Sequence, residues 1–192
     1  MPLTSRVASL TRCAGAVVCS LTAIATALLA TAAPAQQPTF RDTLLDRFAG
    51  RWVLRGTIAG KPTTHDVTGE WVLGHQYLRV HEVSREVGAG GGPAYAADLY
   101  IGWDAKARAY TCVWLDTYGG VDAQSLGRTA AAPAGGDSLP FRFRYDDGSR
   151  MHTTFAYDRA ADTWAWRLDA EPAGQPDARR PFARVTLTRA PQ

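Results

Sequence analysis

Apolar and polar residues alternate along most of this chain, and the alternation is clearest over residues 98–120. Two runs rich in β-branched and aromatic residues flank the polar segment 104–108, which predicts an antiparallel hairpin. Period 2 along its second arm puts Tyr110, Cys112, Trp114 and Asp116 on one face and Thr111, Val113, Leu115 and Thr117 on the other. Both faces are largely apolar, so both need cover, as in a barrel with a filled interior or a sandwich.

The same pattern recurs at steady spacing. It predicts strands at 52–58, 64–73, 77–86, 95–103, 109–118, 125–131, 140–145, 151–157, 164–170 and 182–188. Asp146-Asp147-Gly148 and residues 159–162 are tight-turn signals, and 88–92 is a glycine-rich tip. Residues 171–181 form a Pro-, Gly- and Arg-rich loop before the last strand. Ahead of the strands, Phe40, Leu44, Leu45 and Phe48 recur at helical spacing, predicting a short amphipathic helix over 40–49 with Thr39 as N-cap and Gly50 as its stop. The fold class is therefore all-β: one antiparallel up-and-down barrel of about ten strands with a short N-terminal helix. Closing the meander removes the edges that would invite aggregation.

Several of these segments carry motifs. Leu44, Phe48, Gly50 and Trp52 are followed by Gly69-Glu70-Trp71-Val72-Leu73-Gly74 with Tyr77-Leu78, then by Tyr100-Ile101-Gly102-Trp103-Asp104 and Trp114-Leu115-Asp116. From Leu44 to the C-terminus the chain resembles a bacterial family of small, often secreted proteins of unknown function with a lipocalin-like (calycin-type) barrel. The resemblance implies fold more than activity. Lipocalins share the Gly-x-Trp, with an arginine of the last strand over the Trp ring, and it implies Arg184 or Arg189 in that part. Nitrobindin-type haem proteins share the architecture, but no haem motif carries over to this chain.

Composition changes the picture at the start of the chain. Arg6 and Arg12 form a basic n-region, 14–32 is apolar and rich in small residues, and Ala33-Pro34-Ala35 has the small residues a signal peptidase reads. The expectation is a signal peptide over 1–35, cleaved before Gln36, and one barrel domain over 36–192 in the periplasm or outside the cell, without stable membrane insertion after cleavage. Removing Arg6 and Arg12 from the 21 Lys and Arg leaves 19 against 18 Asp and Glu, which favours neither nucleic acid nor anionic membrane as a partner. Cys13 and Cys19 leave with the leader, and Cys112 alone forms no internal disulfide; it reads as a small buried hydrophobe.

The candidate chemistry is sparse. No metal-ligand spacing, nucleophile elbow, phosphate loop or dinucleotide fingerprint is present, and no cofactor is implied. His65 and His75 fall at a strand start and in a turn, where exposed polar residues are ordinary. His81 shares a face with Tyr77, Arg79, Val83 and Arg85, whereas Glu82 is in phase with Leu78 and Val80. Two functions stay open. One is a non-catalytic barrel that binds a small, partly apolar molecule, with Trp71, Tyr100, Trp114 and Trp166 as walls and Trp71, Arg79, His81, Tyr100, Trp114, Asp116 and His152 as the binding set. The other is an enzyme of the same fold using His81 or His152 with Glu82 or Asp116. A register slip of one residue would exchange every member of the set for its neighbour on the other face.

Overall fold

The computed structural model describes residues 40–130 and 136–191. The expected signal peptide and its cleavage site lie outside the described residues. After helix α1 (Thr43–Phe48) come β1 (Gly50–Ile58), β2 (Lys61–Val72), β3 (Tyr77–Ser84), β4 (Ala96–Asp104) and β5 (Ala109–Asp116). A single 3₁₀ turn (Ala123–Ser125) precedes β6 (Leu126–Thr129), β7 (Ser138–Arg144), β8 (Arg150–Asp158), β9 (Thr163–Glu171) and β10 (Arg180–Arg189). Each strand pairs antiparallel with the next, and β10 returns to β1, so ten strands close an up-and-down barrel. The all-β class and strand number match the expectation from periodicity.

Register follows the alternation. Leu99 lies opposite Trp114, Ile101 opposite Cys112 and Ala97 opposite Asp116, so the face of β5 that carries Tyr110, Cys112, Trp114 and Asp116 turns inward. On β3 the inward set is Leu78, Val80, Glu82 and Ser84, all buried, and the residues between them point out. Cys112 is buried within the wall, and burial alone pushes its thiol well above the usual range, which keeps it an unreactive hydrophobe.

The helix is shorter than periodicity predicts, and its cap differs. Asp42, not Thr39, is the N-cap: its Oδ1 accepts from the backbone N–H of Leu44 at 2.9 Å and of Leu45 at 2.8 Å. Thr39 lies outside the described residues. Phe40, freed from the helix, instead packs against Trp71 and Trp103, with ring centroids 6.1 and 6.4 Å away.

Leu44, Leu45 and Phe48 bury the apolar face of α1 in one end of the barrel, among Trp52, Phe155 and Trp164. Phe48 lies 4.7 Å from Trp164 and 5.5 Å from Phe155, and its backbone oxygen accepts from the Trp52 indole N–H at 2.8 Å. Two glycines permit this approach. Gly50 has φ +113°, a conformation that costs other residues strain, and a Cβ on Gly69 would stand 2.3 Å from the Phe48 oxygen. Of the two arginines considered for the Trp52 ring, Arg189 takes the place, its guanidinium 3.8 Å from the ring centroid. The same side chain donates to the carbonyls of Ala49 at 2.8 Å and Arg47 at 3.1 Å, so it also ties down the C-terminal end of the helix.

Candidate functional site

Among the described residues no helix plugs the opposite end of the barrel. There the inward or rim positions include Thr63, Ser84, Ala94 and Ala183, whose short side chains leave the interior unfilled. The result is a cavity of about 740 Å³ that reaches from Leu54 and Trp166 in the barrel interior to Lys61, Tyr118 and Phe182 at the mouth. Its size falls in the range of small-molecule sites. One side of the wall is apolar, built by Trp114, Trp166, Phe143, Met151 and Leu168 from β5, β7, β8 and β9. Trp114 stands 5.6 Å from Trp166 and 5.8 Å edge-on to Phe143.

The other side, on β2 to β5, is polar. His65 is 3 % and Glu82 1 % exposed, and Nδ1 of the first hydrogen-bonds to Oε1 of the second across neighbouring strands. The other ring nitrogen, Nε2, meets Thr63 Oγ1 at 2.7 Å. Thr63 in turn donates to Glu86 at 3.1 Å, and the Thr64 N–H holds the second Glu86 oxygen at 3.0 Å. That backbone donation, foremost among several contacts, keeps the Glu86 carboxyl below its usual range. The imidazole is thus clamped at both nitrogens.

A second polar chain lies beside it. The Trp114 indole N–H donates to Tyr95 OH at 3.1 Å, Tyr95 OH donates to Asp116 Oδ2 at 3.4 Å, and Asp116 Oδ1 accepts from the Tyr118 backbone N–H at 2.9 Å. Burial first, and then the field of Glu82 with a smaller share from Asp116, push the Tyr95 phenol far above its usual range, so it serves as a neutral donor. Two polar atoms of cavity-lining residues, Glu82 Oε2 and Trp166 Nε1, are buried with no hydrogen-bond partner. Buried polar atoms are almost always paired; His75 Nε2, Thr153 Oγ1 and Trp164 Nε1, away from the cavity, also lack partners, so it is the carboxylate oxygen that sets the cavity apart.

The structure divides the predicted binding set. Trp114 and Asp116 line the cavity, as does Trp166 from the predicted walls. Trp71 is at the other end, donating to Asp46 at 2.9 Å and stacked 4.0 Å from His75. Arg79, His81 and Tyr100 are out of phase with the inward residues of β3 and β4 and stand on the outer wall. There Asp98 accepts from Arg79 Nε at 2.7 Å and meets His81 Nδ1 at 2.9 Å. His152, on the outside of β8, hydrogen-bonds at 2.6 Å to Glu171, whose side chain is 2 % exposed beneath Arg150 and Arg179. The set therefore does not share one face, because the polar members of β3 belong to the solvent side of the alternation.

His65 and Tyr95 lie outside that set. Glu82 carried the legible signal: a carboxylate in phase with Leu78 and Val80 has to enter the interior with them. His65 had the same signal in weaker form, one period before Val67 and two before Gly69.

Among the described residues no three His, Cys, Asp or Glu are grouped to hold a metal ion. Chemically, the arrangement offers a greasy wall, hydrogen-bond donors and acceptors at fixed positions, and a His–Glu pair that is already satisfied at both ring nitrogens. No family model matches the chain, and no curated protein matches it. Among solved structures, a redesigned β-barrel is similar at a TM-score of 0.39, with 9 % identity over 77 % of this chain and 96 % of that one.

Proposed function

We propose that this chain is a non-catalytic, exported, lipocalin-like barrel that encloses a small, partly apolar molecule in its open half. The observation that carries this is the cavity of about 740 Å³, aromatic on one side and polar on the other. The Gly50-Arg51-Trp52 start and the Arg189 guanidinium over Trp52 support the lipocalin-like assignment. The clamp on His65 favours binding over turnover. A general base needs a nitrogen free to take a proton from substrate, and here one nitrogen faces Glu82 and the other Thr63.

An apolar fluorescent probe titrated into the protein tests the reading. Binding shifts Trp emission in the wild type, and Trp114→Ala weakens it several-fold while the melting transition stays cooperative. Unchanged probe affinity in Trp114→Ala places any bound molecule elsewhere. Export is tested separately: N-terminal sequencing of the protein recovered from its native cell begins at or near Gln36, and a full-length chain in the membrane fraction refutes a cleaved leader.

A further inference from the structure

Carboxylates on the outer wall and carboxylates on the cavity are treated differently. Outside, Asp66 pairs with Arg85 at 2.6 Å, Glu70 with Arg79 at 2.9 Å, Asp104 with Arg128 at 3.0 Å and Asp162 with Arg189 at 3.0 Å. On the cavity, Glu82, Glu86, Asp116 and Asp122 face one lysine, Lys61, and one histidine, His65. Among the described residues none of these four has a lysine or arginine within ion-pair distance. The pocket therefore holds an excess of negative charge that the fold leaves uncompensated, although arginine is plentiful elsewhere on the barrel.

Glu82, paired with His65, is the most deeply buried of the four. Its side chain is 2 % exposed, only Oε1 is engaged, by His65, and Oε2 has no partner. Leaving a buried carboxylate oxygen unpaired is costly unless something arrives to pair it. Glu82 and Asp116 also act on one point, the Tyr95 hydroxyl, so their fields overlap within the pocket. The Trp114 indole reaches that hydroxyl, and Trp166 packs 5.6 Å from Trp114 along the cavity wall; the faces of such rings attract cations. Carboxylates beside aromatic faces are the chemistry that selects an organic cation over an anion or a neutral isostere.

Resting on the reading of the barrel as a binding protein, we propose that its ligand is a small organic cation, an amine or quaternary ammonium on an apolar body, whose charged end lies between Glu82 and Asp116 and whose body packs on Trp114 and Trp166. A metal ion fits less well, because no three ligating side chains are grouped there and the remaining wall is aromatic and aliphatic. The one lysine sits at the mouth, with Pro62 and Thr63, where an entering cation can pass it.

The test is a matched series of probes: a dansyl fluorophore on an alkyl chain that ends in an ammonium, in the neutral acetamide made from it, or in a carboxylate. The ammonium probe binds the wild type about tenfold or more tightly than the acetamide, which corresponds to about 1.4 kcal/mol, and the carboxylate binds most weakly. Asp116→Asn and, independently, Glu82→Gln shrink the ammonium-to-acetamide ratio several-fold, and an unchanged ratio in both well-folded variants overturns the assignment of the cation to these carboxylates. Should either variant fold poorly, the wild-type series decides alone. Equal or tighter binding of the acetamide or carboxylate overturns cation selectivity and leaves the binding barrel standing. Binding of none of the three overturns both.

Discussion

At the closed end of the barrel Phe48 packs 4.7 Å from Trp164 and 6.2 Å from Trp52, and at the open end Trp114 packs 5.6 Å from Trp166. The residue types are alike, but at the closed end a helix fills the lumen and at the open end no described segment does. At the closed end the Trp52 indole donates to Phe48 and Arg189 covers its face, while the Trp164 indole N–H is buried without a partner. Open-end polar groups bind one another along the wall and leave Glu82 Oε2 and Trp166 Nε1 without partners. One end is filled by the chain itself; the other, in the proposed binding function, takes a molecule from outside. Stability should therefore concentrate at the first end and binding at the second.

The largest expected effect is at the plug. Trp52 is 1 % exposed, and Trp52→Ala removes its ring, its hydrogen bond and the seat of Arg189. A loss of about 3–5 kcal/mol is expected, a large share of a typical domain's stability, measured by thermal or denaturant melts. A change near zero would erase the contrast between the ends. Gly69→Ala is the next step down. Its new methyl meets the Phe48 backbone oxygen, so helix and strand must separate, at a cost of about 1–3 kcal/mol.

At the open end the ordering of effects reverses. Trp114 lines a space rather than filling one, so Trp114→Ala should cost about 1–2 kcal/mol, less than Trp52→Ala, while probe binding falls several-fold. A loss of stability equal to that of Trp52→Ala would mean that Trp114 belongs to the packed core.

The alternation made the fold legible. Ten strands follow from period 2, and Gly50 and Trp52 mark where the barrel begins, but both faces of β5 are largely apolar and only its pairing with β4 shows which one turns inward. Helix α1 was legible in kind but not in extent, because Asp42 and Thr39 are both competent caps and only the tertiary position of Phe40 decides between them. The cavity was half legible. Trp114 and Asp116 lie on a strand whose face is fixed by its neighbours. Arg79, His81 and His152 attracted attention as chemistry-bearing residues, yet each is out of phase with the buried positions beside it. Which end of a barrel stays open depends on where the helix docks, and that is a long-range fact which local periodicity does not contain.

The smallest effect expected lies on the outer wall, on the face of β8 and β9 turned away from the cavity. Hydrogen bonds from His152, and then from Arg150 and Arg179, hold the Glu171 carboxyl at about 2, below its ordinary 4.5, against the opposing effect of burial. The folded value is the lower one, so this cluster stabilises the protein above pH 4.5, and the contribution disappears as pH falls from there through about 2. Melting temperatures recorded across that window should fall in the wild type and fall less in Glu171→Gln, with probe binding at neutral pH unchanged in the variant. Equal acid sensitivity in both proteins would assign the effect to other carboxylates.

The six tryptophans supply the most direct measurement, because each indole N–H gives its own resonance in a proton–nitrogen correlation spectrum. Trp52, Trp71 and Trp164 report on the plugged end, Trp103 on the rim beside Phe40, and Trp114 and Trp166 on the cavity. Titration with the ammonium-ended dansyl probe should move the Trp114 and Trp166 signals and leave those of Trp52 and Trp164 in place. Movement confined to Trp71 or Trp103, or no movement at saturating probe, would contradict a ligand cavity in the open half of the barrel.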